Sequence, residues 1–196
     1  MLILHQARKD GGTVVIQMSV VFKKTLAERI TDDIPPTLTK DGTERLRQVA
    51  EAFVHQVAAV AAEGARDGGR KTIAPRDMVI AARHLVRVYP WIDNESYFKS
   101  AAGHVSAESG ELTTTDHLYT TGGAKGTKKI ALRGLLTVKV VQDLLKTTRK
   151  ATRDSNALAC RMGEEFGLCI MVRAAKVLNQ STIEAKDIDI VLCGKT

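Results

Sequence analysis

Apolar residues return at every third or fourth position through most of this chain, and the segments in which they do so come twice in the same order. In the first half, FKKTLAERIT (Phe22–Thr31) is patterned as a short amphipathic helix. The stretch DDIPPTLTKDG stops it, because Asp32, Asp33 and the Pro35-Pro36 pair prevent continuation. A long helix is predicted from about Thr43 to Asp67, with Leu46, Val49, Ala50, Phe53, Val57, Val60 and Ala61 at helical spacing. Thr43 or Asp41 can cap it, and Glu44 suits its first turn. Gly68-Gly69 end it, RKTI is extended, and Pro75 opens a last helix reaching about Val88.

The second half repeats the plan. Thr137–Thr147 (TVKVVQDLLKT) is short and amphipathic, and TRKATRDS is a polar loop with Asp154 or Ser155 as a cap. Asn156–Leu178 is long, with Leu158, Met162, Phe166, Cys169, Ile170, Arg173 and Val177 marking one flank. NQSTI is extended, and Ala185–Leu192 closes the unit. This divides the chain into an N-terminal tail (1–21), a first helical unit (22–90), a basic linker (91–129) and a second unit (130–196). The linker is Gly/Ser/Thr-rich, with a helix expected at Asn94–Ser106. Thr13–Gln17 fits a short strand in an otherwise poorly ordered tail. Met18 offers a second candidate start, which would make 1–17 an upstream extension.

The repeat extends to individual residues. Thr72-Ile73-x-x-Arg76-Asp77-Met78-x-Ile80 returns 110 positions later as Thr182-Ile183-x-x-Lys186-Asp187-Ile188-x-Ile190. A short–long–short helical unit cannot bury the stripe of its long helix alone and needs a partner of the same kind packed across it. Two copies on one chain can supply each other. The fold class that follows is all-α, two such units paired within the chain.

Composition agrees. Aromatics are only 4% of residues against 44% hydrophobic, which favours helices over a β-sandwich. A net charge of +7 and a pI near 9.4 point to a polyanionic partner. No run of 18 apolar residues occurs, and no helix pairs a Trp/Phe face with a Lys stripe, so no membrane partner is expected. The N-terminus does not read as a signal or transit peptide, since His5, Arg8, Lys9 and Asp10 break its apolar runs. Cys160, Cys169 and Cys193 are odd in number and not in metal spacing, so buried, reduced, intracellular thiols are expected and no cofactor is.

The plan resembles the histone fold, and the chain resembles a histone doublet, two core-histone folds fused head to tail, of the giant-virus, Marseillevirus-like kind. In the first half, AEAFVHQVAAVAAEGARDGGRKTIAPRDMVIA resembles the long helix, second loop and third helix of core and archaeal histones. In the second, IALRGLLTVKVVQDLL, KATRDSNALACRM and AAKVLNQSTIEAKDIDIV resemble histone H-three. The first half is closer to histone H-four than to H-two-B. The second lacks the loop expected of H-two-A, so the implied order is H-four then H-three rather than the H-two-B/H-two-A type. The resemblance implies a location in a viral factory and virion or the host nucleus.

In that family the second loop of one fold lies beside the first loop of its partner, and the pair faces double-stranded DNA. Loop amides and helix dipoles attract phosphate while Arg or Lys neutralises it. Carried over, Arg70, Lys71 and Thr72 form one half of such a site, and Arg149, Lys150 and Arg153 the other, with Arg153 matching the groove-inserting arginine. Lys40 and Thr182 belong to the second site. Arg133 in the lead-in segment and Lys125, Lys128 and Lys129 in the linker are further phosphate contacts. The family also pairs the arginine at Arg70 with the third-helix aspartate, here Asp77, which gives Arg70 a structural role. Two doublets are expected to meet through Arg173, Val177, Asp187, Ile190 and Val191, and a second doublet of the complementary type is an expected partner.

Departures from the family are specific. Asn179 and Gln180 stand where the family has Lys-Arg, which weakens that DNA contact and the corresponding clamp on Asp187. Leu38 falls where H-four places an arginine, and the chain stops at Thr196 without a basic tail. Catalysis finds little support: His5, His55, His84, His104 and His117 are scattered, and GGAKG lacks the strand and helix of a phosphate loop. Cys160 and Cys169 read as buried thiols, and Glu164-Glu165 as solvated or partner-facing acids. The alternative to DNA packaging is a histone-fold dimer that serves as a protein-interaction module in a transcription or chromatin complex.

Overall fold

The computed structural model describes residues 20–30, 36–102, 134–146 and 148–194. The chain order is α1 (Val20–Arg29), β1 (Thr37–Leu38), α2 (Lys40–Asp67), α3 (Pro75–Val86), α4 (Asn94–Ala102), α5 (Val138–Lys146), α6 (Arg153–Leu178), β2 (Thr182–Ile183) and α7 (Ala185–Leu192). The strand expected at Thr13–Gln17 and the C-terminal end of the helix expected at Asn94–Ser106 lie outside the described residues.

The two long helices set the architecture. On α2, Leu46, Val49, Ala50, Phe53, Val57 and Ala61 are buried, and Val60 is half-buried. These positions meet α6 where the latter carries no side chain: a Cβ on Gly163 would stand 2.6 Å from the Val54 methyl and 3.3 Å from the Ala50 carbonyl oxygen. That gap lets the two helices cross closely. Beyond it Phe53 stacks on Phe166, with ring centroids 4.2 Å apart and planes 12° apart. Each long helix packs against the short helices of both halves, α2 against α3, α5 and α7, and α6 against α1, α3, α5 and α7. Neither half has a core without the other. The chain is all-α, two short–long–short units paired within one molecule.

α6 is wrapped more fully than one apolar flank requires. Ala157–Cys160 and Met162–Leu168 are all buried, and α4 supplies part of the cover. The segment expected to begin the linker therefore contributes to the core: Ile92, Tyr97, Phe98 and Ala101 are buried, and the Tyr97 hydroxyl donates to the Met162 carbonyl at 2.8 Å. Burial raises the Tyr97 pKa well above its ordinary value.

Both long helices start earlier than their sequences suggest, and for one reason. α2 is capped by Thr39, whose hydroxyl accepts the Gly42 N–H at 3.1 Å. α6 is capped by Thr152, whose hydroxyl accepts the Ser155 N–H at 3.2 Å. Each cap is fixed from the other unit: the Thr39 N–H donates to Ile183 O at 3.1 Å, and the Thr152 N–H to Ile73 O at 3.2 Å. These isoleucines are the second residue of the repeated motif, and both are fully buried. The motif's aspartates also match in role, since Asp77 accepts the Ala74 N–H and Asp187 the Glu184 N–H, each at 2.8 Å, at the start of its own helix. Its last isoleucines, Ile80 and Ile190, are exposed in both copies.

Candidate nucleic-acid interface

The motif loops bring the two units together at both ends of the molecule. At one end Ile73 bridges Ala151 in parallel, and the Ile73 N–H donates to Lys150 O at 2.9 Å. At the other end β1 pairs with β2 in parallel, Thr37 opposite Thr182 and Leu38 opposite Ile183. Each pair joins the first loop of one unit to the second loop of the other.

At the Ile73–Ala151 end, Gly68 and Gly69 turn the chain out of α2, Gly69 with φ +68°. Arg70 then folds back. Its guanidinium donates to both carboxylate oxygens of Asp77, one at 2.7 Å. The Asp77 hydrogen bond raises the Arg70 pKa. Burial pushes the Asp77 carboxyl up, but the Arg70 guanidinium and the Ala74 N–H outweigh it and hold Asp77 below its ordinary value. Arg149 crosses from the other unit and donates to Arg70 O at 2.6 Å and Lys71 O at 3.2 Å. Arg149 therefore fastens the loop on which Lys71 sits. Lys71, Lys150 and Arg153 are exposed and Thr72 is half-buried. Arg153 occupies the first turn of α6, where its own helix dipole opposes a cation and welcomes an anion.

The β1–β2 end is differently charged. Lys40 is exposed in the first turn of α2 beside Asp41, and the Thr39 hydroxyl bond holds Asp41 below its ordinary pKa. Thr182 is exposed, its hydroxyl 3.4 Å from that of Thr37. Lys186 is paired with Glu184 at 2.8 Å. Asn179 ends α6 in the left-handed region, φ 47°, a conformation asparagine tolerates better than Lys or Arg. Asp187 accepts the Glu184 N–H, and among the described residues no arginine matches Arg70 there. Lys125, Lys128, Lys129 and Arg133 lie outside the described residues.

The surface expected to join two chains needs correction. Asp187 and Val191 are 2% and 1% exposed, turned into the intrachain core, so neither is available to a second molecule. Ile190 is 37% exposed, and Arg173 and Val177 are half-buried. The cysteines also differ from expectation. Cys160 is buried, Cys169 half-buried and Cys193 exposed. Burial pushes the Cys160 thiol pKa far up, which leaves it protonated and unreactive. Glu164 and Glu165 are not solvated but 0% and 1% exposed. Glu164 Oε1 accepts the N–H groups of Gly134 at 2.6 Å and Leu135 at 3.1 Å, and Glu165 takes Arg29 and Ser100. Among the described residues no helix is long and apolar enough to cross a membrane, and no group of three His, Cys, Asp or Glu could hold a metal ion.

Residues 23–82 match the family described as histone-like transcription factor (CBF/NF-Y) and archaeal histone. The match covers α2 and most of the first unit, so the short–long–short unit is a histone fold. The comparison with curated proteins finds no match.

Proposed function

We propose that the chain is a histone doublet, H-four-like then H-three-like, that binds double-stranded DNA without regard to sequence and compacts it into nucleosome-like particles. The observation that carries this reading is the pairing of both loop sets within one molecule, with Lys71, Lys150 and Arg153 exposed on adjoining segments of one pair. The backbone there is tied by Arg149 and by the Ile73–Lys150 bond, so the segments that carry the cations are set before any ligand arrives. Phosphate contact needs only placed charge, which these exposed cations supply. A second copy, and a complementary doublet, would complete a particle of the kind found in a viral factory and virion or in a nucleus.

The test is binding to several unrelated duplexes across a salt gradient, followed by nuclease protection. If roughly six phosphates are neutralised, log affinity falls against log salt with a slope on the order of −5. A flat salt response, or strong preference for one short sequence, overturns the proposal and leaves the interaction-module reading, for which the matched family's transcription factors stand.

A further inference from the structure

The two loop pairs are alike in backbone and unlike in charge. Across 66–77 and 143–154, which flank the Ile73–Ala151 bridge, eight Arg and Lys stand against four Asp. Across 36–41 and 176–187, which flank the β1–β2 pair, three Lys stand against three acids. Side-chain pairing sharpens the difference. At the first end Arg70 is spent on Asp77 and Arg149 on two carbonyls, and Lys146 bonds Asp143 at 3.0 Å. Lys71, Lys150 and Arg153 remain exposed beyond these pairs. At the second end Glu184 holds Lys186, and Asp41 adjoins Lys40. A phosphate approaching the first end meets net positive charge, whereas at the second, where only Lys176 stands clear of an acid, the charges sum to zero.

We propose that the doublet grips DNA with polarity: phosphates are held at the Ile73–Ala151 loop pair by Lys71, Lys150 and Arg153, while the β1–β2 pair stays outside the phosphate path. This rests on the DNA-binding reading above and adds to it which end of the molecule does the binding. The duplex is then anchored at one end of each chain and released from the other, so the stretch protected per chain is shorter than two equal contacts would give.

The experiment uses the full chain and a mixed-sequence duplex, with affinity measured over a salt series. Each phosphate contact contributes about −0.9 to the slope, so Lys71→Gln, Lys150→Gln and Arg153→Gln together make it shallower by about 3, and Lys150→Gln alone by about 1. Lys176→Gln with Lys186→Gln, both at the β1–β2 end, leaves the slope unchanged. The single variant and a melting curve guard against a triple variant that fails to fold. Equal losses at the two ends, in a parent protein that binds with a steep slope, overturn the polarity and leave DNA binding intact. A parent with no salt-dependent binding overturns both.

Discussion

Arg29, at the end of α1 in the first unit, closes on Glu165, in the middle of the long helix of the second. The guanidinium donates to both carboxylate oxygens, one at 3.0 Å, and Ser100 of α4 donates to the same carboxylate at 2.7 Å. The Glu165 side chain is 1% exposed and that of Arg29 is 28% exposed. One buried acid thus ties three helices. Replacing Glu165 with Ala removes the acceptor that Arg29 and Ser100 share, and a cost of about 2–3 kcal/mol is expected. Glu44→Ala, at a half-exposed pair with Arg47 within α2, should cost less, about 0.5 kcal/mol. Denaturant midpoints compare the two, and equal costs would remove Glu165 from its organising role.

The glycines of α6 should respond unequally to a methyl group. At Gly163 an added Cβ meets both a Val54 methyl and a Leu136 methyl at 2.6 Å, with the Ala50 carbonyl at 3.3 Å behind them. At Gly167 the only close atom is a terminal methyl of Leu135 at 2.6 Å. Alanine gains up to about 1 kcal/mol in helix propensity, while overpacking costs about 1–3 kcal/mol. Gly163→Ala is expected to lower the melting temperature and Gly167→Ala to leave it nearly unchanged. The reverse order would mean that the helices do not cross at Gly163.

Acid should weaken the protein partly through Asp77. Its folded pKa lies below the ordinary 3.8, so its contribution is fully present above that value and is lost as pH falls through the lower, folded one. Asp77→Asn should remove this part of the acid sensitivity and also loosen the loop that carries Lys71. Unfolding measured from neutral pH down to the acid limit tests the sign: a variant whose stability falls as steeply in acid as the parent's contradicts it.

Association of two chains, if it uses the end of the second fold, must rest on exposed Ile190 rather than on Asp187 or Val191. Ile190→Glu is expected to leave the melting curve in place and to stop one chain from bridging two DNA-bound molecules, as read by sedimentation. Asp187→Ala would instead remove the acceptor for the Glu184 N–H and destabilise α7 by about 1 kcal/mol. A higher-order particle that survives Ile190→Glu places the contact elsewhere.

Helix order and class were legible because the short helices and α2 each bury one stripe, and periodicity reports one-sided burial well. It reports α6 poorly: a helix covered on every side has no polar face to contrast, so Glu164-Glu165 looked like surface acids. Their adjacency to buried Gly163 and Phe166 was the available signal. The Thr39 and Thr152 caps were missed because what selects them is a hydrogen bond from the threonine N–H to an isoleucine carbonyl of the other unit, more than seventy residues away along the chain. Asp41, Thr43, Asp154 and Ser155 are equally good caps by local rules. The cation positions at the loops were legible, but which of them are committed to protein partners was not. Nothing local to the sequence marks Arg149 as the side chain that reaches two carbonyls of the other unit while the neighbouring Lys150 stays exposed.

The reciprocal hold of each fold on the other's helix cap has a kinetic side. Because both partners belong to one chain, each faces the other at an effective concentration set by the connecting residues rather than by how much protein is present. Dilution therefore does not separate them, and unfolding is unimolecular, with a midpoint that does not move with protein concentration. Two unlike folds that must otherwise find each other in one-to-one ratio do so at synthesis, and a like-with-like pair can form only by first opening the one already made.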